Sequence, residues 1–184
     1  MQFLSSLFQP YLRWRHSEGF GVHSPYAYRF VKDVIKPGNY GYYGYSAIEK
    51  EARKRNWNNE DLKLLLRTAI FLDTKRIIVQ KEMAGKAGLV SSAIGTTLTV
   101  IKKSENLISN MTDLLIADSL AGHDKSVEKA ISSGTPVIAF DPDPSLRQLM
   151  VKPLERGVLF DGLRIMILIP RQEMAYVRYT TRFS

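Results

Sequence analysis

Asp113-Leu114-Leu115-Ile116-Ala117-Asp118 is followed by a polar segment in which Val127, Ala130 and Ile131 stand at helical spacing before Gly134, and then by Pro136-Val137-Ile138-Ala139-Phe140. Short, continuous apolar runs joined by an amphipathic helix mark parallel strands, because crossover helices bury both faces of the sheet. The alternation extends upstream, where residues 76–80 and 97–102 read as two more strands. Downstream, Asp143-Pro144 offers a cap and an N1 proline for a short helix to about residue 152. The spacing predicts an α/β protein whose sheet has four parallel strands, at 76–80, 97–102, 113–118 and 136–140.

The two ends read differently. Residues 157–160 and 163–169 flank Asp161-Gly162, a strong hairpin signal. In residues 174–183, Val177, Tyr179 and Phe183 alternate with Arg178, Thr180 and Arg182, which predicts a third antiparallel strand. At the N-terminus, Phe3 to Trp14 recur near helical spacing, with Pro10 expected to break the helix. Ser24 or Pro25 opens a helix through Val34 and Ile35, and Pro37-Gly38-Asn39 stops it. Residues 40–45 form a Gly/Tyr loop. Ser46-Ala47-Ile48-Glu49 reads as a capping box for a helix ending near Asn56. Leu62, Leu65, Leu66, Ala69 and Ile70 form the stripe of the next helix, which begins at Asn58 or Asn59. The reading is one domain, residues 1–184, with a helical N-terminal cap over 1–72 and a core over 73–184.

The 184 residues, 45% hydrophobic and 24% charged, suit a folded chain with a sizeable core. The absence of cysteine excludes a disulfide scaffold, a thiol nucleophile and Cys-ligated metal, and agrees with a reducing compartment. No stretch reaches the roughly 20 apolar residues of a membrane span. The apolar run from Met1 to Phe8 lacks the flanking charge and cleavage pattern of a signal peptide. The expectation is a soluble cytoplasmic protein with no membrane partner. Lys and Arg number 26 against 18 Asp and Glu, a net charge of +8, with the excess at the two ends. That bias suits an anionic partner, but the longest basic cluster, Arg53-Lys54-Arg55, is short for nucleic acid and fits a solvated helix face.

Gly21-Val22-His23-Ser24-Pro25-Tyr26 with Phe30-Val31 resembles the N-terminal motif of a group of bacterial class I S-adenosylmethionine-dependent methyltransferases. Tyr42-Tyr43, Ile48-Glu49 and the leucines at 62–66 match that group in order. Residues 112–118 resemble its fourth strand with the terminal aspartate, 137–141 its fifth strand and following acid, and 157–169 its closing hairpin. The resemblance covers about four fifths of the chain. It implies a Rossmann-like sheet, methyl transfer and S-adenosylmethionine as cofactor.

The middle departs from the pattern. The family's first strand ends in an acid and a glycine-rich turn, where the cofactor lies against bare backbone. Here Ile77-Ile78-Val79 runs into Gln80-Lys81, and Gly85 and Gly88 come later, available for such a turn only after a shift. An ordinary loop is the preferred reading, because a lone Gly-x-x-Gly is a weak signal. The ribose-binding acid expected after the second strand is replaced by Lys102-Lys103. Only 32 residues separate Gln80 from Asp113. Three crossovers and two strands need about 40, whereas two crossovers and one strand need about 25. The domain is therefore read as a reduced, degenerate class I methyltransferase-like fold.

Candidate site residues follow from both readings. Asp118 and Asp141 end adjacent strands, where open α/β sheets bind ligands, and the resemblance makes them cofactor-binding candidates with Gly85 and Gly88. With Asp143 they form three oxygen donors of a type that suits Mg²⁺ or Ca²⁺, although helix capping and loop roles account for them and no metal is assigned. His23 and His123 are candidate catalytic bases, each with a local structural alternative. The expected function is a non-catalytic binding or interaction role that takes an unidentified small molecule or a protein, a second copy of the chain included. S-adenosylmethionine binding is expected to be weak or absent. Two alternatives remain open: an active small O- or N-methyltransferase, and a nucleic-acid-binding module.

Overall fold

The computed structural model describes residues 2–38, 41–101, 110–118, 125–152 and 155–183. Four strands form where the apolar runs predict them: β1 (Arg76–Gln80), β2 (Thr97–Ile101), β3 (Asp113–Asp118) and β4 (Val137–Phe140). All three pairings among them are parallel, and residues 81–101 and 110–112 add no further strand. The hairpin supplies β5 (Val158–Asp161) and β6 (Ile165–Ile169), and β7 (Val177–Thr180) follows. The sheet order is β2-β1-β3-β4-β6-β5-β7. The protein is thus α/β with a seven-stranded, mostly parallel mixed sheet, an arrangement compatible with a Rossmann-like fold.

The last strand corrects the sequence reading. β7 runs opposite to β6, as expected of the next strand in the chain, but both edges of β6 are taken by β4 and β5. The free edge is that of β5, and there β7 pairs parallel, Val158 opposite Val177.

Alternate residues of each strand face opposite layers. Ile77, Val79, Leu114, Ile116, Ile138 and Phe160 point to one face with α4 (Asn59–Phe71), α5 (Ala84–Ile94), α3 (Tyr45–Arg55) and α2 (Pro25–Phe30). Ile78, Leu115, Val137, Leu159, Met166 and Leu168 point to the other, with α6 (Lys125–Ser132) and α7 (Pro144–Val151). Local signals set most helix ends. Ser24 accepts the Ala27 N–H at the start of α2, which continues as one π-helical turn, Val31–Ile35. Asn58 accepts the Glu60 and Asp61 amides, and Asp143 the Leu146 amide.

The N-terminal region holds two departures. α1 (Gln2–Ser17) runs unbroken through Pro10. It lies against β7 and satisfies the backbone around that edge strand: His16 Nδ1 donates to the Thr180 carbonyl at 3.0 Å, Arg13 to the Asp161 carbonyl at 2.8 Å, and the Ser17 hydroxyl accepts the Arg182 N–H at 2.7 Å. This contact blunts an edge otherwise open to strand pairing. The second departure is the capping box. α3 begins two residues early, its N-cap is Gly44 at φ 98°, and Glu49 pairs with Lys63 instead of the cap. A Cβ at Gly44 would stand 3.2 Å from the Ala93 Cβ, so close approach of α3 to α5 fixes this start.

Candidate functional site

From β1 the chain steps outward to β2 on one side, and β3 takes the other side of β1. The carboxyl ends of β1 and β3 therefore flank a topological switch point, the place where open α/β sheets hold ligands. Asp118 closes β3 there, opposite Phe140 in register, and Asp141 follows β4. The Asp118 side chain lies outside the described set, as do those of Gln80 and Lys81. His123, Lys102 and Lys103 fall outside the described residues altogether.

Gly85 and Gly88 do not form a turn. β1 passes through a single 3₁₀ turn, Lys81–Met83, directly into α5, and both glycines sit inside that helix. Neither the ordinary loop nor the shifted glycine-rich turn is found there. The glycines instead allow close packing: a Cβ at Gly85 would meet the Trp57 ring at 3.3 Å, and one at Gly88 would meet Leu98 at 3.5 Å. We expect Gly88→Ala to raise stability by about 0.5–1 kcal/mol, the helix-interior preference for alanine. Urea unfolding measures it, and a loss of stability would return Gly88 to a backbone role.

Asp141 has a left-handed backbone, φ 46°, and its N–H donates to the Arg164 carbonyl at 2.6 Å. Its carboxylate accepts Arg164 Nε at 3.3 Å, and the same guanidinium donates to Asp61 at 2.7 Å. The Asp61 hydrogen bond raises the Arg164 pKa above its ordinary value, so the guanidinium stays charged. Arg164 thus ties the hairpin turn to α4 and is shared between the Asp61 and Asp141 carboxylates. The cavity left among Asp61, Leu65, Met83, Lys86, Phe140 and Asp141 is about 80 Å³. Asp143 caps α7, and no group of three acids or histidines able to hold a metal occurs among the described residues.

His23 lies elsewhere. It is exposed and lines a groove with His16, Ser24, Val177 and Arg178 along β7. Three strands stand between β7 and β3, about 19 Å across the sheet. The turn it occupies is capped by Ser24, so the local hydrogen-bonding role expected of His23 is not present among the described contacts. The structure brings Asp141 and the end of β3 together and leaves His23 apart from them. Arg53, Lys54 and Arg55 are exposed at the end of α3, with Lys54 and Arg55 paired to Glu51.

A second cavity, about 770 Å³, opens on the same side of the sheet, between α1, the start of α4, the hairpin turn and the tail after β7. Its charged residues, Arg13, Glu60, Asp61, Arg164 and Arg182, come from four separate segments, and the sequence reading singled out none of them for a site. The available signal was Arg164, a lone cation beside an apolar run. No protein-family model and no curated protein matches this chain. No helix among the described residues is long and apolar enough to cross a membrane.

Proposed function

We propose that this chain is a degenerate, reduced relative of class I S-adenosylmethionine-dependent methyltransferases that acts by binding rather than by catalysis. The observation that carries the reading is the connection from β1 to α5. Where such a cofactor needs bare backbone at a turn, this chain has a 3₁₀ turn and a helix whose glycines pack on Trp57 and Leu98. Among the described residues, the crevice beside Asp141 is about 80 Å³, against the roughly 300 Å³ or more that ligands of this size occupy. Asp141, the acid that follows β4, is already paired with Arg164. The order β2-β1-β3-β4 is a doubly wound order and fits the ancestry, which would then lack one strand–helix unit outside β2.

The test is calorimetric titration with S-adenosylmethionine and S-adenosylhomocysteine. Loss of one charge-assisted partner costs about 1.5–3 kcal/mol, so two losses carry a micromolar site to about the millimolar range. We expect no saturation below about 1 mM. A dissociation constant at or below about 10 µM overturns the proposal and restores the enzyme reading.

A further inference from the structure

The larger cavity has a chemistry of its own. Leu64 and Ile165, both buried, form part of its apolar wall, with Leu163 and Phe183 beside them. Its acids are matched: Glu60 pairs with Lys63 at 3.3 Å, and Asp61 pairs with Arg164 at 2.7 Å. Its other two cations are not. Among the described residues, Arg13 donates only to the carbonyls of Asp161 and Thr181, and Arg182 makes no ion pair. Thr181 also lines the cavity, fully buried, and its hydroxyl has no partner among the described residues. The volume, about 770 Å³, lies within the usual range for small-molecule sites, and such sites combine apolar walls with a few orienting polar groups.

We propose that this cavity binds a small organic anion with an apolar body, a single-tailed carboxylate. Its head meets Arg13 and Arg182, and its tail lies against Leu64, Ile165 and Phe183. Planar guanidinium groups suit a carboxylate, and burial of the tail supplies the hydrophobic part of the affinity. The inference stands apart from the fate of the switch-point crevice, so the S-adenosylmethionine titration decides one and not the other.

Dodecanoate below its micelle concentration is the probe, titrated into the whole chain by calorimetry, with dodecyltrimethylammonium as the cation of equal tail. We expect a micromolar dissociation constant for dodecanoate and no detectable binding of the cation. Arg182→Gln, at an exposed position, should weaken dodecanoate about tenfold or more. Leu163→Trp, on the exposed turn, should block the cavity to similar effect. Lys54→Gln, not among the lining residues, should change affinity less than twofold and so separates a site from general attraction to a basic protein. Each variant is used after its melting midpoint matches the parent. The proposal is overturned by equal binding of both amphiphiles, by a dodecanoate constant above about 1 mM, by equal losses in Arg182→Gln and Lys54→Gln, or by unchanged affinity in Arg182→Gln or Leu163→Trp.

Discussion

Asp161→Ala should cost about 3 kcal/mol of stability, a fall of about 10 °C in the unfolding midpoint. Asp161 is 1% exposed, at the end of β5. One carboxylate oxygen accepts Arg147 Nη1 from α7 at 2.7 Å, and the other accepts Nε and Nη2 of Arg178 from β7. Its backbone carbonyl receives Arg13 from α1. Three elements therefore converge on one residue. Arg147 also donates to the Gly162 and Leu163 carbonyls, so it holds the hairpin turn as well as the carboxylate. Removing the acid leaves two guanidinium groups facing each other. Both are partly exposed and regain some water, which keeps the expected cost at the low end for a broken buried pair. Arg178→Met should cost about 1 kcal/mol, because Asp161 keeps Arg147 and the methionine retains packing along the strand. Thermal and urea unfolding of both variants measure the contrast. Equal losses in the two would show that Asp161 is not the centre of the network.

The same residue shows where sequence reading stops. Asp161-Gly162 has local turn chemistry, and the sequence placed the turn there. In the fold the turn falls at 162–164, with Gly162 N–H donating to the Ile165 carbonyl, while Asp161 stays in the strand beside arginines 14 and 17 residues away in sequence. The parallel strands were legible because burial on both faces leaves an uninterrupted apolar run that no surface segment shows. α4, α6 and α7 were legible because their stripes and ends are local: Asn58 and Asp143 cap, and Gly134 at φ 77° follows α6. The start of α3 was not, because Gly44 is selected by contact with Ala93 rather than by the Ser46–Glu49 pattern. Gly85 and Gly88 were ambiguous for a related reason, since spacing cannot separate a glycine that admits a ligand from one that admits Trp57. The Asp61–Arg164 bridge joins residues 103 apart, and no periodicity reports such a pair.

Phe30→Ala should have an effect at least as large, about 4 kcal/mol and a fall of about 12 °C in the midpoint. Phe30 ends α2 and is wholly buried. Its ring stacks on Phe160 of β5 with centroids 4.5 Å apart, and meets Phe71 of α4 edge-on at 5.1 Å. Phe160 in turn stacks on Tyr179 of β7 at 5.9 Å, and Phe71 meets Tyr26 at 5.4 Å. This stack lies on a sheet face rather than over the carboxyl edge of the sheet, and Tyr43, 92% exposed, takes no part in it. The sheet face offers Phe160 as a flat apolar partner, whereas the carboxyl edge presents charged residues such as Asp141 and Arg164. Truncation leaves a ring-sized void between two layers that cannot both close on it, so the cost exceeds the transfer of the ring alone. Phe30→Leu refills most of that volume and should cost no more than about 1.5 kcal/mol. If the cap and core unfold as one unit, Phe30→Ala shifts a single cooperative transition, monitored both by far-ultraviolet circular dichroism and by tryptophan fluorescence from Trp14 and Trp57. Two separated transitions, or a midpoint moved by less than about 3 °C, would show that residues 20–45 dress the sheet without holding it.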